Sequence, residues 1–173
     1  MPKKSGVNSA ILLPVYRQKE KYHLLFNLRT REVLHHKGQI SFPGGARETR
    51  DPDALHTALR EAEEEIGLDP GQVQVLGRLD DVLTITGYLI SPFVGLIPYP
   101  YPFKRNQNEV AEIFGLAMDR LMEPDDYRED IIEVDGHELD VPYFLVQERM
   151  VWGATGRIVK NFLQTVFGWT PPG

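Results

Sequence analysis

Two apolar runs open the chain, Ser9 to Tyr16 and His23 to Leu28, and the polar stretch RQKEK between them predicts a β-hairpin. A short strand is expected at Gln39 to Phe42. The pattern then changes period: Leu55, Ala58, Leu59, Ala62 and Ile66 share one arc of a helix at about 100° per residue, so that arc faces a core. Pro52 and Asp53 suit the start of this helix, Asp51 is the expected N-cap, and Gly67 is a natural stop. Val73 to Ile85 and Tyr88 to Ile97 read as long β-segments around a Thr86-Gly87 turn. The proline-punctuated PYPYPFKRNQ follows as a loop, then Asn108-Glu109-Val110 opens a strand through Phe114. Ala117 to Met122 predicts a short helix stopped by Glu123-Pro124. Ile131 to Val134 and Glu138 to Val146 form a hairpin around Asp135-Gly136. Ile158, Val159, Phe162, Leu163 and Val166 mark a final core-facing helix beginning near Thr155. These elements give a fold class of α/β or α+β. Residues 1–7 are expected to be a mobile tail, and no repeat or linker divides the chain, so residues 1–173 are expected to be one domain.

The candidate chemistry lies on the second arc of the first predicted helix. Glu61, Glu64 and Glu65 converge there, where like charges repel and a cation is needed. Oxygen donors in a chain without cysteine favour a hard divalent ion, Mg²⁺ or Mn²⁺, over zinc. Glu63 projects to the opposite side, into solvent, and Arg60 pairs with Glu64 at i, i+4. An acidic run of this kind is usually a solvated face. Gly44 and Gly45 argue otherwise, because close backbone approach just before the helix serves no purpose on a plain surface helix.

Composition changes the picture in two ways. Hydrophobic and charged fractions of 42% and 25% are those of a soluble globular protein, and the net charge of −6 argues against a nucleic-acid or membrane-surface binder. Against that acidic background, RTREVLHHKGQISFP concentrates Arg29, Arg31, His35, His36 and Lys37, a polar mouth suited to phosphate. Lys104 and Arg105 are further phosphate candidates, although such pairs are more often solvated. Tyr99, Tyr101 and Phe103 either stack on an adenine or pack on the domain, and packing is the expectation. The run Ala10 to Val15 is short and broken by Pro14, neither a signal segment nor a membrane span, which makes the cytoplasm the default location.

The stretch from Gly44 to Leu68 resembles the Nudix box. Its second half matches from Arg60 through Glu61, Glu64, Glu65 and Gly67 to Leu68; in the first half Asp51 replaces the box Glu, with one extra residue before Arg60. This variant, together with LHHKGQISFPGG upstream and with Arg29-Thr30, His36, Gly38 and Gln39, resembles the coenzyme A pyrophosphatase branch of the Nudix hydrolases. TITGYLISPFVGLI and the WGAT start of the last helix are similar to that branch too. The resemblance implies an α/β/α sandwich with a mixed central sheet and a metal-dependent diphosphatase acting on a phosphorylated small molecule. It implies Glu61, Glu64, Glu65 and the Gly45 carbonyl as metal ligands, with Arg60 alongside them. A further carboxylate beyond the sheet is implied as ligand or proton acceptor, Glu109 being preferred over Glu112. Arg29, Arg31, His36, Lys37, Gln39 and Gly44 are the candidate substrate contacts. Three functions stay open: cleavage of coenzyme A into 3′-phosphoadenosine 5′-phosphate and 4′-phosphopantetheine; cleavage of another nucleoside diphosphate derivative such as ADP-ribose, a dinucleotide or a nucleoside triphosphate; and noncatalytic binding. The general base is not assigned, and monomer and homodimer are equally open.

Overall fold

The computed structural model describes residues 6–31 and 38–173. Its first hairpin pairs β1 (Val7–Gln18) with β2 (Lys21–Arg29), Val15 opposite Leu24 and Gln18 opposite Lys21. β1 starts at Val7, so the expected tail is too long at its inner end; residues 1–5 lie outside the described residues. β3 (Ile40–Ser41) adds to the far end of β2, and β4 (Gly44–Ala46) pairs antiparallel with Ser9 to Ile11 of β1.

Beyond β1, the segment expected as one strand from Val73 to Ile85 is split into β5 (Gln74–Arg78) and β6 (Val82–Leu83), both antiparallel to β7 (Tyr88–Leu96). The break falls where Arg78 turns back onto Asp81 at 2.6 Å. β7 runs parallel to β1 from Val7 opposite Tyr88 to Val15 opposite Leu96, and β8 (Val110–Ala117) runs antiparallel to β2. The main sheet is therefore mixed. A second, antiparallel sheet is built from β9 (Tyr127–Val134), β10 (His137–Val146) and β11 (Arg149–Val151), with the Asp135-Gly136 turn where the sequence places it.

Strand alternation sorts the side chains into two layers. Ala10, Leu12 and Tyr16 of β1, Leu25 of β2 and Phe93 of β7 pack with Ala58, Ala62 and Ile66 of α1 (Ala54–Ile66). Leu13 and Val15, with Leu24 and Phe26, face the other way. They pack with Phe144 and Val146 of β10 and with Ile158, Val159 and Phe162 of α3 (Gly153–Phe167), which begins slightly before Thr155; α2 (Met118–Leu121) closes the same core through Leu121. Each such side chain removed from water contributes about 1.5–3 kcal/mol. The helix-sheet-helix layering is present, with the small second sheet sharing the α3 layer.

The start of α1 differs from expectation. Its N-cap is Asp53, whose Oδ1 accepts the His56 N–H at 2.8 Å. Asp51 is unavailable for capping because its buried carboxylate is committed elsewhere. It accepts Arg60 Nε at 2.8 Å and a second guanidinium N–H at 2.9 Å, the Thr57 hydroxyl at 3.0 Å and the Glu48 N–H at 2.9 Å. Bidentate pairing of this type fixes both partners. Gly67 ends the helix at φ 66, a left-handed conformation that glycine adopts without strain.

Replacing Asp51 by Ala removes the bidentate partner of Arg60, which keeps Glu61 and Glu64, and should cost about 1.5–3 kcal/mol in denaturant unfolding, the range for hydrogen bonds to a charged group, whereas Asp53→Ala should cost only about 1 kcal/mol. The Arg60 hydrogen bonds hold the Asp51 carboxyl well below the usual carboxylate range. Its contribution is therefore complete above the unfolded value near pH 4 and is lost as pH falls through the lower folded value. The stability gap between wild type and Asp51→Asn should narrow only below about pH 4.

Candidate active site

Four segments bring the candidate residues together. β2 carries Asn27 and Arg29 on the row that begins with Leu25, the side facing α1. β4 supplies the glycine pair, the second half of α1 supplies the carboxylates, and Glu109 sits immediately before β8. Glu65 is 4% exposed. Its carboxylate accepts Asn27 Nδ2 at 3.0 Å and a backbone N–H from Gly44. Glu61 lies against Gly45, so closely that a Cβ there would come within 2.5 Å of Oε1. A Cβ at this position would displace the Glu61 carboxylate from where it now lies.

The electrostatics follow from this packing. Burial, then the neighbouring Glu61 charge, pushes the Glu65 carboxyl up to about 8, with Glu109 acting in the same direction and Arg29 opposing it. Burial likewise raises Glu61, with Arg60 opposing and with Glu64 and Glu109 adding to the rise. Glu109 thus belongs to this acidic group. Glu112 does not: it shares a face with Phe114 on the opposite side of β8 and is paired with Arg149 at 2.7 and 3.1 Å.

Arg60 holds Glu64 at 3.1 Å, the expected i, i+4 pair, and holds Glu61 at 3.1 Å as well. Arg50 takes the other Glu64 oxygen at 3.0 Å. Among the described residues no three acidic or histidine side chains already converge as a ligand set; part of the cation that the acidic arc requires is Arg60 itself. The remaining charge, a buried Glu65 beside Glu61 and Glu109 with oxygen donors alone, fits a hard divalent ion. Glu63 is exposed, as the helical wheel requires.

The candidate substrate contacts divide. Arg29 is near enough for its charge to oppose the rise of Glu65, and its Nε is buried without a hydrogen-bond partner. Gln39 is tied to it through the backbone, its carbonyl accepting the Arg29 N–H at 2.9 Å. Arg31 is exposed in the turn after β2, and His36 and Lys37 lie outside the described residues. Arg105 donates to the Val110 carbonyl at 2.9 Å and so shapes its own loop. Tyr99 stacks on Tyr16 at 4.3 Å between ring centroids, and Tyr101 packs tilted against Phe103 at 4.9 Å, the packing arrangement. Sequence reasoning passes over Asn27. The available sign is a lone amide within LLFNL, on the α1-facing side of an otherwise apolar strand.

Comparison with known proteins places this geometry. The NUDIX domain family matches residues 7–139. A protein of Photorhabdus laumondii, named an uncharacterized Nudix hydrolase NudL, is 35% identical over 159 residues, 92% of this chain and 84% of its own length. Among solved structures, the Nudix hydrolase RenU of M. smegmatis superposes with a TM-score of 0.56 at 23% identity over 66% of this chain and 73% of its own. The NUDIX domain of Shewanella oneidensis NrtR, solved with ADP ribose, gives 0.53 at 15% identity over 66% and 74%. At those identities the structural likeness is one of fold. Among the described residues no helix is long and apolar enough to cross a membrane. Nudix hydrolases generally use divalent ions such as Mg²⁺ or Mn²⁺, in keeping with the acidic group around Glu65. Family match, relatives and fold agree: this chain belongs to the Nudix family and is a hydrolase of diphosphate bonds.

Proposed function

We propose that the substrate is coenzyme A or a derivative, split at its diphosphate into 3′-phosphoadenosine 5′-phosphate and 4′-phosphopantetheine. One observation carries this reading. The segment that resembles the coenzyme A branch leaves β2 at Arg29, beside Glu65, and returns through β3 to the Gly44-Gly45 pair, against Glu65 and Glu61. Both ends of the motif therefore meet the carboxylates, where a diphosphate-reading segment has to be. The described residues form one domain in this reading, since the second sheet and α3 share a core with the main sheet.

Glu61, Glu64, Glu65 and the Gly45 carbonyl would hold Mg²⁺ or Mn²⁺. When bound, such ions neutralise charge developing on the diphosphate oxygens and polarise an attacking water. The chain's own groups do the rest. Arg60, fixed by Asp51, steadies Glu61 and Glu64. Arg29 offers its free Nε–H to a phosphate oxygen, and Glu109 stands beside Glu61 and Glu65 as ligand or proton acceptor. No covalent nucleophile is required.

A second reading, action on ADP-ribose, draws on the NrtR domain, which shares the fold and is solved in complex with ADP ribose. Pure binding is disfavoured, since Glu61, Glu64 and Glu65 are all retained. Assays with Mg²⁺ or Mn²⁺ against coenzyme A, ADP-ribose, NADH and dGTP separate the three: the proposal expects coenzyme A cleavage, and turnover of ADP-ribose alone would overturn it. Glu65→Gln should lower turnover on the order of 100-fold or more with the fold intact, whereas Glu63→Gln, in solvent, should change it little. Equal losses from both would contradict the assigned helix face.

A further inference from the structure

The polar row of β2 contains one group that neither the motif nor the family match assigns. Asn27 is 1% exposed, on a strand whose other buried residues, Leu24, Leu25 and Phe26, are apolar. Its Nδ2 donates to Glu65 Oε2 at 3.0 Å, while its Oδ1 is buried and makes no hydrogen bond. Its cross-strand partner is Ser41, whose Oγ is likewise buried and unpaired, and Arg29, two positions along the same face, has an unpaired Nε. A buried amide kept for the stability of the fold is normally satisfied at both ends. Here only the end facing Glu65 is used. The fold therefore gains little from an amide at this position that an apolar side chain would not supply.

We infer that Asn27 is a positioning residue for Glu65: its carboxamide fixes the carboxylate at the β2–β4 corner, against Gly44, in the orientation from which it ligates a divalent ion. The inference rests on the proposed role of Glu65 as a metal ligand. The choice of asparagine follows from charge. Glu65 already stands beside Glu61 and Glu109, so an acidic neighbour would add repulsion, and an arginine would supply the positive charge that the ion has to bring. A neutral donor directs the carboxylate without altering the charge available for the ion. Its other contact, the Gly44 N–H, belongs to the backbone, which leaves Asn27 as the side chain that sets the direction. Partners of this kind, outside the ligand set but bonded to it, typically change metal affinity about 10- to 100-fold.

The test measures Mn²⁺ alone, by electron paramagnetic resonance titration of the full chain, alongside thermal unfolding without metal. Asn27→Leu, of similar volume and suited to a buried strand, should weaken Mn²⁺ binding about 10- to 100-fold while the metal-free melting temperature stays level or rises. Asn27→Val, β-branched and also without a donor, is read in the same way if the leucine variant does not fold. Mn²⁺ affinity within twofold of wild type in the folded variant would overturn the inference, as would a loss of affinity that only tracks a loss of thermal stability. Glu65→Gln is the control: if it leaves Mn²⁺ binding unchanged, the metal reading of Glu65 fails, whereas weakening by Glu65→Gln but not by Asn27→Leu rejects the role of Asn27 alone.

Discussion

A carboxylate removed from water is the constraint from which most of this structure follows. Glu65 is set into the helix–sheet interface, and an ionised group there is tolerated only with donors and opposite charge close by. Several features serve that need. α1 has to lie flat on β1, which small residues at Ala58 and Ala62 allow. The backbone before the helix has to approach the acidic arc, and the glycine pair of β4 allows that. β2 has to end in polar side chains, so its inward row passes from Leu25 to Asn27 and Arg29. Arg60, itself locked by Asp51, takes up the charge of Glu64 and part of that of Glu61, while Glu65 beside Glu61 and Glu109 retains an excess that suits a divalent ion.

The hairpins, the helix at 54–66 and the acidic arc were legible because each rests on local periodicity or turn chemistry. Helix, glycine stop and solvent-facing Glu63 are all consequences of one helical repeat. What was not legible depends on partners distant in sequence. Asp51 is a good N-cap residue by type, yet Thr57 and Arg60, a turn or more along the helix, claim its carboxylate and pass the cap to Asp53. Glu109 and Glu112 are equivalent by composition. Only the packing of β8 against the second sheet, with Arg149 stacked over Phe114 at 3.7 Å and bonded to Glu112, separates them. Asn27 was hidden for the same reason, since its significance lies in the helix opposite.

The last helix has a bearing on the site that its distance in sequence conceals. Thr155 Oγ1 donates to the Ile40 carbonyl at 3.1 Å, tying the first turn of α3 to the short strand that leads into the glycine pair. The portion shared with the family at large ends at residue 139, so this tie joins residues beyond the common domain to the segment between Arg29 and Gly45. A substitution in α3 that removes the Thr155 hydroxyl therefore loosens the strand leading into the glycine pair while the box itself stays unchanged.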